Sequence, residues 1–130
     1  MALLIDTSLL IAAERGDPGL LASFDDEETA ISPVTLSELL YGVHRSAPAQ
    51  RIAREIFADR IVGSMEVVPI DEAAARAHAQ LVSSLAQVGQ SIGLHDSWIA
   101  ASALTSGYGV ATLDVKHFSR VPGLRVVCPA

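Results

Sequence analysis

Short apolar segments alternate along the chain with segments whose apolar residues recur every three or four positions. The second pattern is typical of helices that bury one face, and the first is typical of buried strands. Five strands are predicted, over residues 1–5, 29–32, 66–70, 109–113 and 125–128. Strands that alternate with helices indicate an α/β fold around a mostly parallel sheet.

Capping residues refine the helix boundaries. Asp17 and Asp71 stand at predicted N-caps, while Gly89 and Gly107 follow the last two helices as stop signals. Six helices are predicted, over residues 7–14, 18–24, 33–44, 51–61, 72–88 and 95–106. No linker, repeat or low-complexity tract divides the pattern, so we expect one domain over residues 1–130.

The composition excludes several classes of protein. Half of the residues are hydrophobic and the mean hydropathy is +0.38, which excludes a disordered chain. The chain carries 15 acidic and 9 basic side chains, a net charge of −6, and its single lysine, Lys116, excludes polybasic binding to nucleic acid. We expect no membrane partner, because no apolar window reaches the roughly 18 residues of a membrane helix.

Two features favour the cytoplasm. Asp6 stands where the cationic region of a signal peptide would lie, and the lone Cys128 has no partner for an intramolecular disulfide. We therefore expect a protein of the reducing cytoplasm.

Two aspartates follow predicted strands directly. Asp6 comes after the first apolar run and Asp114 after the run that ends at Leu113. In parallel sheets, ligands bind beyond the carboxyl ends of the strands. Each aspartate could instead cap the helix that follows, although Thr7 or Ser8 could cap the first helix equally well. Both interpretations remain open from the sequence.

Asp96 lies on the apolar side of its predicted helix. At 100° per residue it shares a face with Ile99, Ala100 and Ala103. Burying an uncompensated carboxylate costs several kcal/mol, so Asp96 must cap the helix, form an ion pair or bind a ligand.

Glu38 lies off the leucine stripe of its helix, on a face shared with Thr35, Gly42 and Arg45. A solvated glutamate is the ordinary interpretation. Gly42, one turn further along, would allow a strand end or a ligand to approach closely.

These four carboxylates are able to converge on one pocket. Like charges within about 4 to 6 Å raise one another's pKa, and a bound cation relieves that repulsion. A site made only of carboxylate oxygens prefers Mg²⁺ or Mn²⁺ to zinc. Metal-assisted phosphoryl transfer uses sites of this kind.

The sequence resembles a known family in four segments. They are IDTSLLIA around Asp6, VTLSELLYGV around Glu38, LHDSWIAASAL around Asp96 and VATLDVKHF around Asp114. In this order, and over essentially the whole chain, they resemble the PIN-domain ribonucleases, specifically the toxins of VapBC-type toxin–antitoxin modules. The resemblance implies a PIN-like three-layer α/β/α fold with a mostly parallel central sheet.

The resemblance also implies roles for individual residues. The catalytic and metal-binding carboxylates would be Asp6, Glu38, Asp96 and Asp114, and the hydroxyls supporting them would be those of Thr7, Ser8 and Thr112. Members of the family often carry one more acid shortly after the fourth position. Here Val115, Lys116 and His117 follow Asp114, which favours one bound ion over two.

The implied activity is that of a Mg²⁺- or Mn²⁺-dependent endoribonuclease toxin that cleaves structured RNA, such as tRNA or rRNA loops. Its implied partners are a second copy of the chain and a cognate VapB-type antitoxin, in a heterotetramer or larger complex. Candidates for contacts with the RNA backbone are Arg45, Arg51, Arg54 and Arg60. A solvated helix face with ion pairs such as Arg51 to Glu55 is the alternative.

Three other interpretations remain. A PIN fold without nuclease activity would act only through its protein partner. An all-helical HD-type metal phosphohydrolase would use His95 and Asp96 with another histidine, His44 or His78. A receiver-type signalling domain requires a lysine after a late strand, and Lys116 follows Asp114 too closely for that role.

Overall fold

A computed structural model describes residues 2–130. It contains a fully parallel sheet of five strands in the order β3-β2-β1-β4-β5. The strands are β1 (Ala2–Ile5), β2 (Glu28–Ile31), β3 (Glu66–Val67), β4 (Gly109–Ala111) and β5 (Val126–Val127). The predicted α/β class and the parallel sheet are confirmed, and the predicted first residue of β1 lies outside the described residues.

Within residues 2–130, seven helices connect or flank the strands. They are α1 (Thr7–Arg15), α2 (Gly19–Ala22), α3 (Pro33–His44), α4 (Pro48–Ser64), α5 (Glu72–Gln87), α6 (Leu94–Ser106) and α7 (Val115–Phe118). The predicted stop at Gly107 is confirmed by its left-handed backbone, with φ of +72°. The predicted cap at Asp71 is also confirmed, because its side chain accepts a hydrogen bond from the backbone N–H of Ala74 at 2.9 Å.

Several predicted boundaries were wrong. The strand expected over 66–70 is shorter because Val68 makes the last bond to β2 and Pro69 has no N–H to donate. Helix α4 begins at Pro48, which is favoured in a first helical turn. The predicted cap by Asp17 is also wrong: α2 has no side-chain cap, and the carbonyl of Asp17 accepts the N–H of Leu20 instead.

Two hydrophobic cores cover the two faces of the sheet. Because side chains alternate along a strand, Leu3 and Ile5 point into one core and Leu4 into the other. The first core is completed by residues of α1, α3 and α4, including Leu9, Leu39 and Ile61, and the second by residues of α5, α6 and α7, including Leu85, Ile99 and Phe118. The predicted three-layer α/β/α arrangement is confirmed.

The strand order creates a crevice at the centre of the sheet. From β1 the chain moves to β2 and β3 on one side, and then crosses to β4 and β5 on the other. Such a switch point is where open α/β sheets bind ligands, beyond the carboxyl ends of the strands. Asp6 directly follows β1 and Thr112 directly follows β4. Within residues 2–130, no helix is long and apolar enough to cross a membrane.

Candidate functional site

Asp6 lies at the floor of the crevice and is only 3% exposed. It occupies the N-cap position of α1, but its side chain makes no capping hydrogen bond. Its Oδ2 instead accepts hydrogen bonds from the hydroxyls of Ser8 at 2.6 Å and Thr112 at 2.8 Å. The capping alternative is therefore wrong for Asp6, whose carboxylate is held in place by two hydroxyls.

Glu38 reaches the same crevice from α3, with its side chain 31% exposed. Its Oε1 accepts a hydrogen bond from the Thr7 hydroxyl at 2.9 Å and lies 3.3 Å from Nδ1 of His95. The Thr7 hydroxyl also lies 3.1 Å from the hydroxyl of Thr35, which is fully buried. Glu38 is thus anchored by its neighbours and is not a solvated surface residue.

Gly42 has open space on the side where a side chain would stand. A methyl group built there would meet no atom of the described residues within 4 Å, so no strand end packs against that side, and the approach of a ligand stays a prediction. The carbonyl of Gly42 accepts hydrogen bonds from Ser46 and Arg54 near the C-terminal end of α3.

Asp96 lies half-buried in the first turn of α6. Gly93 is the N-cap of this helix and no side chain caps it, so the capping alternative is wrong for Asp96. Burial and then the charges of the other three carboxylates raise the pKa of Asp96 to about 6. The charge of His117 lowers the pKa of Asp96 in part, but Asp96 forms no hydrogen bond or ion pair with the described residues. The charges of the three other carboxylates therefore all act on Asp96.

Asp114 begins the short helix α7 and caps it. Its Oδ1 accepts the backbone N–H of His117 at 3.3 Å, and its Oδ2 lies 2.5 Å from Nδ1 of the same histidine. The backbone N–H of Asp114 donates to the Thr112 hydroxyl at 2.8 Å. The side-chain hydrogen bond to His117 is the largest cause that lowers the pKa of Asp114. Asp114 is thus both a cap and part of the crevice.

The donor set fits a hard divalent cation by its chemistry. Four carboxylates supply oxygen ligands of the type that Mg²⁺ and Mn²⁺ prefer. The pKa of Asp96 is raised by burial first and then by repulsion from the other carboxylates, and a cation relieves that repulsion. As the side chains of residues 2–130 stand, no three of the His, Cys, Asp and Glu type are arranged to hold an ion. Bringing these oxygens onto one ion therefore requires side-chain rotation.

Two of the four candidate arginines serve an internal role. Arg54 forms an ion pair with Glu14 at 3.3 Å and donates to the Ser46 hydroxyl at 2.8 Å. Arg51 donates to the carbonyl of Ser46 at 3.2 Å. Together they fasten α4 to α1 and to the turn that follows α3.

The other two candidate arginines are exposed. Arg45 donates to the Tyr41 hydroxyl at 2.8 Å and lies 5.5 Å from the centre of its ring. Arg60 is exposed on α4. The proposed contacts with RNA remain a prediction for all four arginines.

The contacts that three histidines make around the site were not predicted from the sequence. His95 contacts Glu38, His117 contacts Asp114, and His78 stacks on Trp98. The spacing of three residues between Asp114 and His117 was an available signal, because such pairs meet on a helix. The other two contacts join separate helices, so they depend on tertiary structure.

The HD-type alternative is excluded by the fold, because that interpretation requires an all-helical protein and this one is built on a parallel sheet. The receiver alternative is also set aside, because Lys116 lies in α7 only two residues after Asp114 instead of after a later strand.

Comparisons with known proteins agree with this architecture. Residues 3–124 match the family described as the PIN domain. Ribonuclease VapC1 from Rickettsia felis is 37% identical over 98% of this chain and 96% of its own length. The tRNA(fMet)-specific endonuclease VapC from Salmonella typhimurium is 30% identical over 95% and 94%. The crystal structure of DNA-bound VapBC from Salmonella typhimurium aligns with a TM-score of 0.88 at 26% identity, over 98% of each chain. The chain therefore belongs to the PIN-domain family, in the branch that contains the VapC ribonucleases.

Proposed function

We propose that this protein is a Mg²⁺- or Mn²⁺-dependent endoribonuclease, the toxin of a type II toxin–antitoxin pair, which hydrolyses phosphodiester bonds in structured RNA. The observation that carries the proposal is the state of Asp96. Its carboxyl is half-buried beside the strand switch point, and this burial, followed by the charges of Asp6, Asp114 and Glu38, raises its pKa. A pocket of mutually repelling carboxylates suits a divalent cation, and relatives that carry the name ribonuclease support the reaction class.

The carboxylates that would hold the ion are those of Asp6, Glu38, Asp96 and Asp114. When bound, the ion lowers the pKa of an attacking water and stabilises negative charge on the phosphate. Each oxygen that accepts no hydrogen bond from the described residues is available as a ligand. These are Oδ1 of Asp6, Oε2 of Glu38 and both carboxylate oxygens of Asp96.

The hydroxyls around the crevice orient these oxygens. Ser8 and Thr112 both donate to Oδ2 of Asp6, which leaves Oδ1 without a hydrogen bond from the described residues. Thr7 does the same for Oε1 of Glu38. Hydrogen bonds of this kind fix ligand orientation and tune affinity for a metal.

Asp96 is also the best candidate for the general base. A base works best when its pKa lies near the working pH, and burial together with the other carboxylates raises the pKa of Asp96 towards neutrality. Its oxygens would accept the proton of the attacking water. An open depression of about 300 Å³, lined by Gly93, Leu94, His95 and Asp96, gives a phosphate room to approach.

We infer that the substrate is a structured RNA such as a tRNA or an rRNA loop, in line with the relative named for tRNA(fMet). Arg45, Arg51, Arg54 and Arg60 are the proposed contacts with its backbone. We place the reaction in the cytoplasm, and we infer that residues 1–130 act as one domain.

A VapB-type antitoxin is the proposed protein partner, in a homodimer-based heterotetramer or larger complex. The structural relative is itself a VapBC complex bound to DNA. The net charge of −6 suits a partner that presents basic side chains to the acidic crevice.

The test is cleavage of total cellular RNA by the purified protein, with mapping of the cut ends. Cleavage is expected with Mn²⁺ and not with EDTA, and Asp96→Asn is expected to abolish it. Asp59→Asn, which removes an exposed carboxylate on α4, is the matched control and should cleave like the wild type. Cleavage in EDTA would refute metal dependence, and cleavage by the Asp96→Asn protein would refute the role of that residue. An intact wild-type protein that binds an antitoxin but cuts no RNA would favour the silent PIN module.

A further inference from the structure

The ring of His78 on α5 lies against α6 immediately behind the candidate site. It stacks on the ring of Trp98, with centroids 3.7 Å apart and planes 3° from parallel. Its Nε2 lies 2.9 Å from the hydroxyl of Ser97, which is 2% exposed. One side chain of α5 therefore contacts two consecutive residues of α6, and we call His78, Ser97 and Trp98 the α5–α6 latch.

The hydrogen bond in this latch has a definite direction. The Ser97 hydroxyl donates its single proton to the carbonyl of Leu94 at 2.7 Å, so it must accept from His78. His78 therefore carries its proton on Nε2. Burial lowers the pKa of His78, which keeps the ring neutral at physiological pH.

The latch acts on a helix start that is otherwise weakly held. Helix α6 begins after Gly93 and has no side-chain cap. The Ser97 hydroxyl does not cap the free N–H groups of this helix start, but it donates to the carbonyl of Leu94 and so joins two residues of the first turn, while His78 fixes the hydroxyl from outside.

Asp96 lies in this same first turn and depends on it. Asp6, Glu38 and Asp114 each accept hydrogen bonds that orient their carboxylates. Asp96 accepts none from the described part of the chain, so its position follows from the backbone of α6.

We propose that His78 is a positioning residue for Asp96: through Ser97 and Trp98 it fixes the first turn of α6 and holds Asp96 at the crevice. The latch itself follows from contacts on α5 and α6, and its relevance to a metal ion rests on the proposed function.

Two substitutions separate the parts of the latch. His78→Phe keeps an aromatic ring against Trp98 and loses the donor, whereas His78→Gln keeps an N–H donor and loses the stack. Gln80→Ala, at an exposed position on the same helix, is the matched control. Far-ultraviolet circular dichroism checks that each variant is folded.

The first measurement needs no metal. The pKa of Asp96 is read from its carboxyl ¹³C shift, and hydrogen exchange is followed at the amides of Ser97 and Trp98. In His78→Phe we expect the pKa of Asp96 to fall towards its ordinary value and these amides to exchange faster, while Gln80→Ala matches the wild type. His78→Gln should lie nearer the wild type than His78→Phe does. An unchanged pKa of Asp96 in His78→Phe overturns the proposal.

The second measurement is Mn²⁺ affinity by calorimetry. Loss of an orienting contact behind a metal ligand costs 10- to 100-fold in affinity, so His78→Phe is expected to bind Mn²⁺ about 10-fold more weakly. If the amides of Ser97 and Trp98 exchange faster in His78→Phe but the affinity for Mn²⁺ is unchanged, the α5–α6 latch is only a packing contact. That result would overturn the positioning role of His78. If the wild type binds no Mn²⁺, the proposed function fails, and the metal-free pKa of Asp96 still decides whether His78 positions it.

Discussion

His117 engages both carboxylate oxygens of Asp114: its backbone N–H donates to Oδ1, and Nδ1 of its imidazole lies 2.5 Å from Oδ2. This histidine stands in the stretch after Asp114 where the resemblance to PIN-domain ribonucleases leads us to expect a further acid. Because both carboxylate oxygens of Asp114 contact His117, Asp114 must give up one or both of these hydrogen bonds to bind an ion. The arrangement therefore favours a site for one cation, with Asp114 as its weakest ligand.

Replacing His117 tests this relationship directly. In His117→Ala the pKa of Asp114 should rise from its lowered value, because the side-chain hydrogen bond that lowers it most is removed. Mn²⁺ should bind a few-fold more tightly, because Asp114 no longer exchanges a partner for the ion. Calorimetry checks the affinity and the stoichiometry, and carboxyl ¹³C shifts check the pKa. Two Mn²⁺ ions per wild-type chain would contradict a site for one ion.

The sequence predicted some elements better than others, for physical reasons. Helices α3, α5 and α6 were located closely because proline, aspartate or glycine marks their ends and their apolar spacing runs over several turns. Helix α7 was missed because four residues are too few to show a helical period.

The sequence likewise predicted some features of the candidate site and not others. Asp6 and Asp96 could be singled out because each interrupts an apolar pattern. The capping question could not be answered from sequence, since it depends on which donor lies nearest in space. Asp6 turned out to be bound by Thr112, 106 residues further along the chain, whereas Asp114 does cap its helix.

The burial of Asp96 and its repulsion by the other carboxylates should make the neutral variant Asp96→Asn more stable than the wild type. The pKa of Asp96 is raised in the folded protein, so the folded state holds a proton that the unfolded chain has released between about pH 4 and pH 6. The ionised group therefore destabilises the metal-free fold increasingly as pH rises through this window. In EDTA at pH 7.5, Asp96→Asn should raise the free energy of unfolding by about 1 kcal/mol after allowance for solvent screening.

Urea unfolding at two pH values checks this expectation. The gain should shrink towards zero near pH 3.5, where the carboxyl of Asp96 is protonated in both states. Asp59→Asn serves as the control at an exposed position and should show no such pH-dependent gain. Lower stability of Asp96→Asn at pH 7.5 would mean that Asp96 has a stabilising partner in solution.

Protons and the metal ion should compete for Asp96. Because the pKa of Asp96 is about 6, the affinity for Mn²⁺ should be nearly constant above pH 7 and fall up to about 10-fold per pH unit below 6. Calorimetric titrations at pH 7.5, 6.0 and 5.0 measure this slope. Asp96→Asn should bind Mn²⁺ weakly at every pH and lose most of the slope between pH 7 and 5. An unchanged slope in that variant would assign the competing proton to another group.

Thr112 connects two of the candidate ligands and should matter more than its size suggests. It is fully buried, and its hydroxyl donates to Oδ2 of Asp6. The hydroxyl oxygen of Thr112 also accepts a hydrogen bond from the backbone N–H of Asp114. Thr112→Val keeps the shape of the side chain and removes both bonds. Leaving buried polar groups without partners costs about 1 to 3 kcal/mol, so we expect a destabilisation of that order in urea.

The same substitution should weaken the metal site, because Asp6 and the turn at Asp114 both lose their anchor. We expect Mn²⁺ to bind roughly 10-fold more weakly to Thr112→Val and RNA cleavage to fall with it. Thr112→Ser retains the hydroxyl and should restore Mn²⁺ affinity even where its lost methyl group lowers stability. If Thr112→Ser and Thr112→Val bind Mn²⁺ equally well, the hydroxyl of Thr112 has no part in orienting Asp6, and its contribution is to packing between β1 and β4 alone.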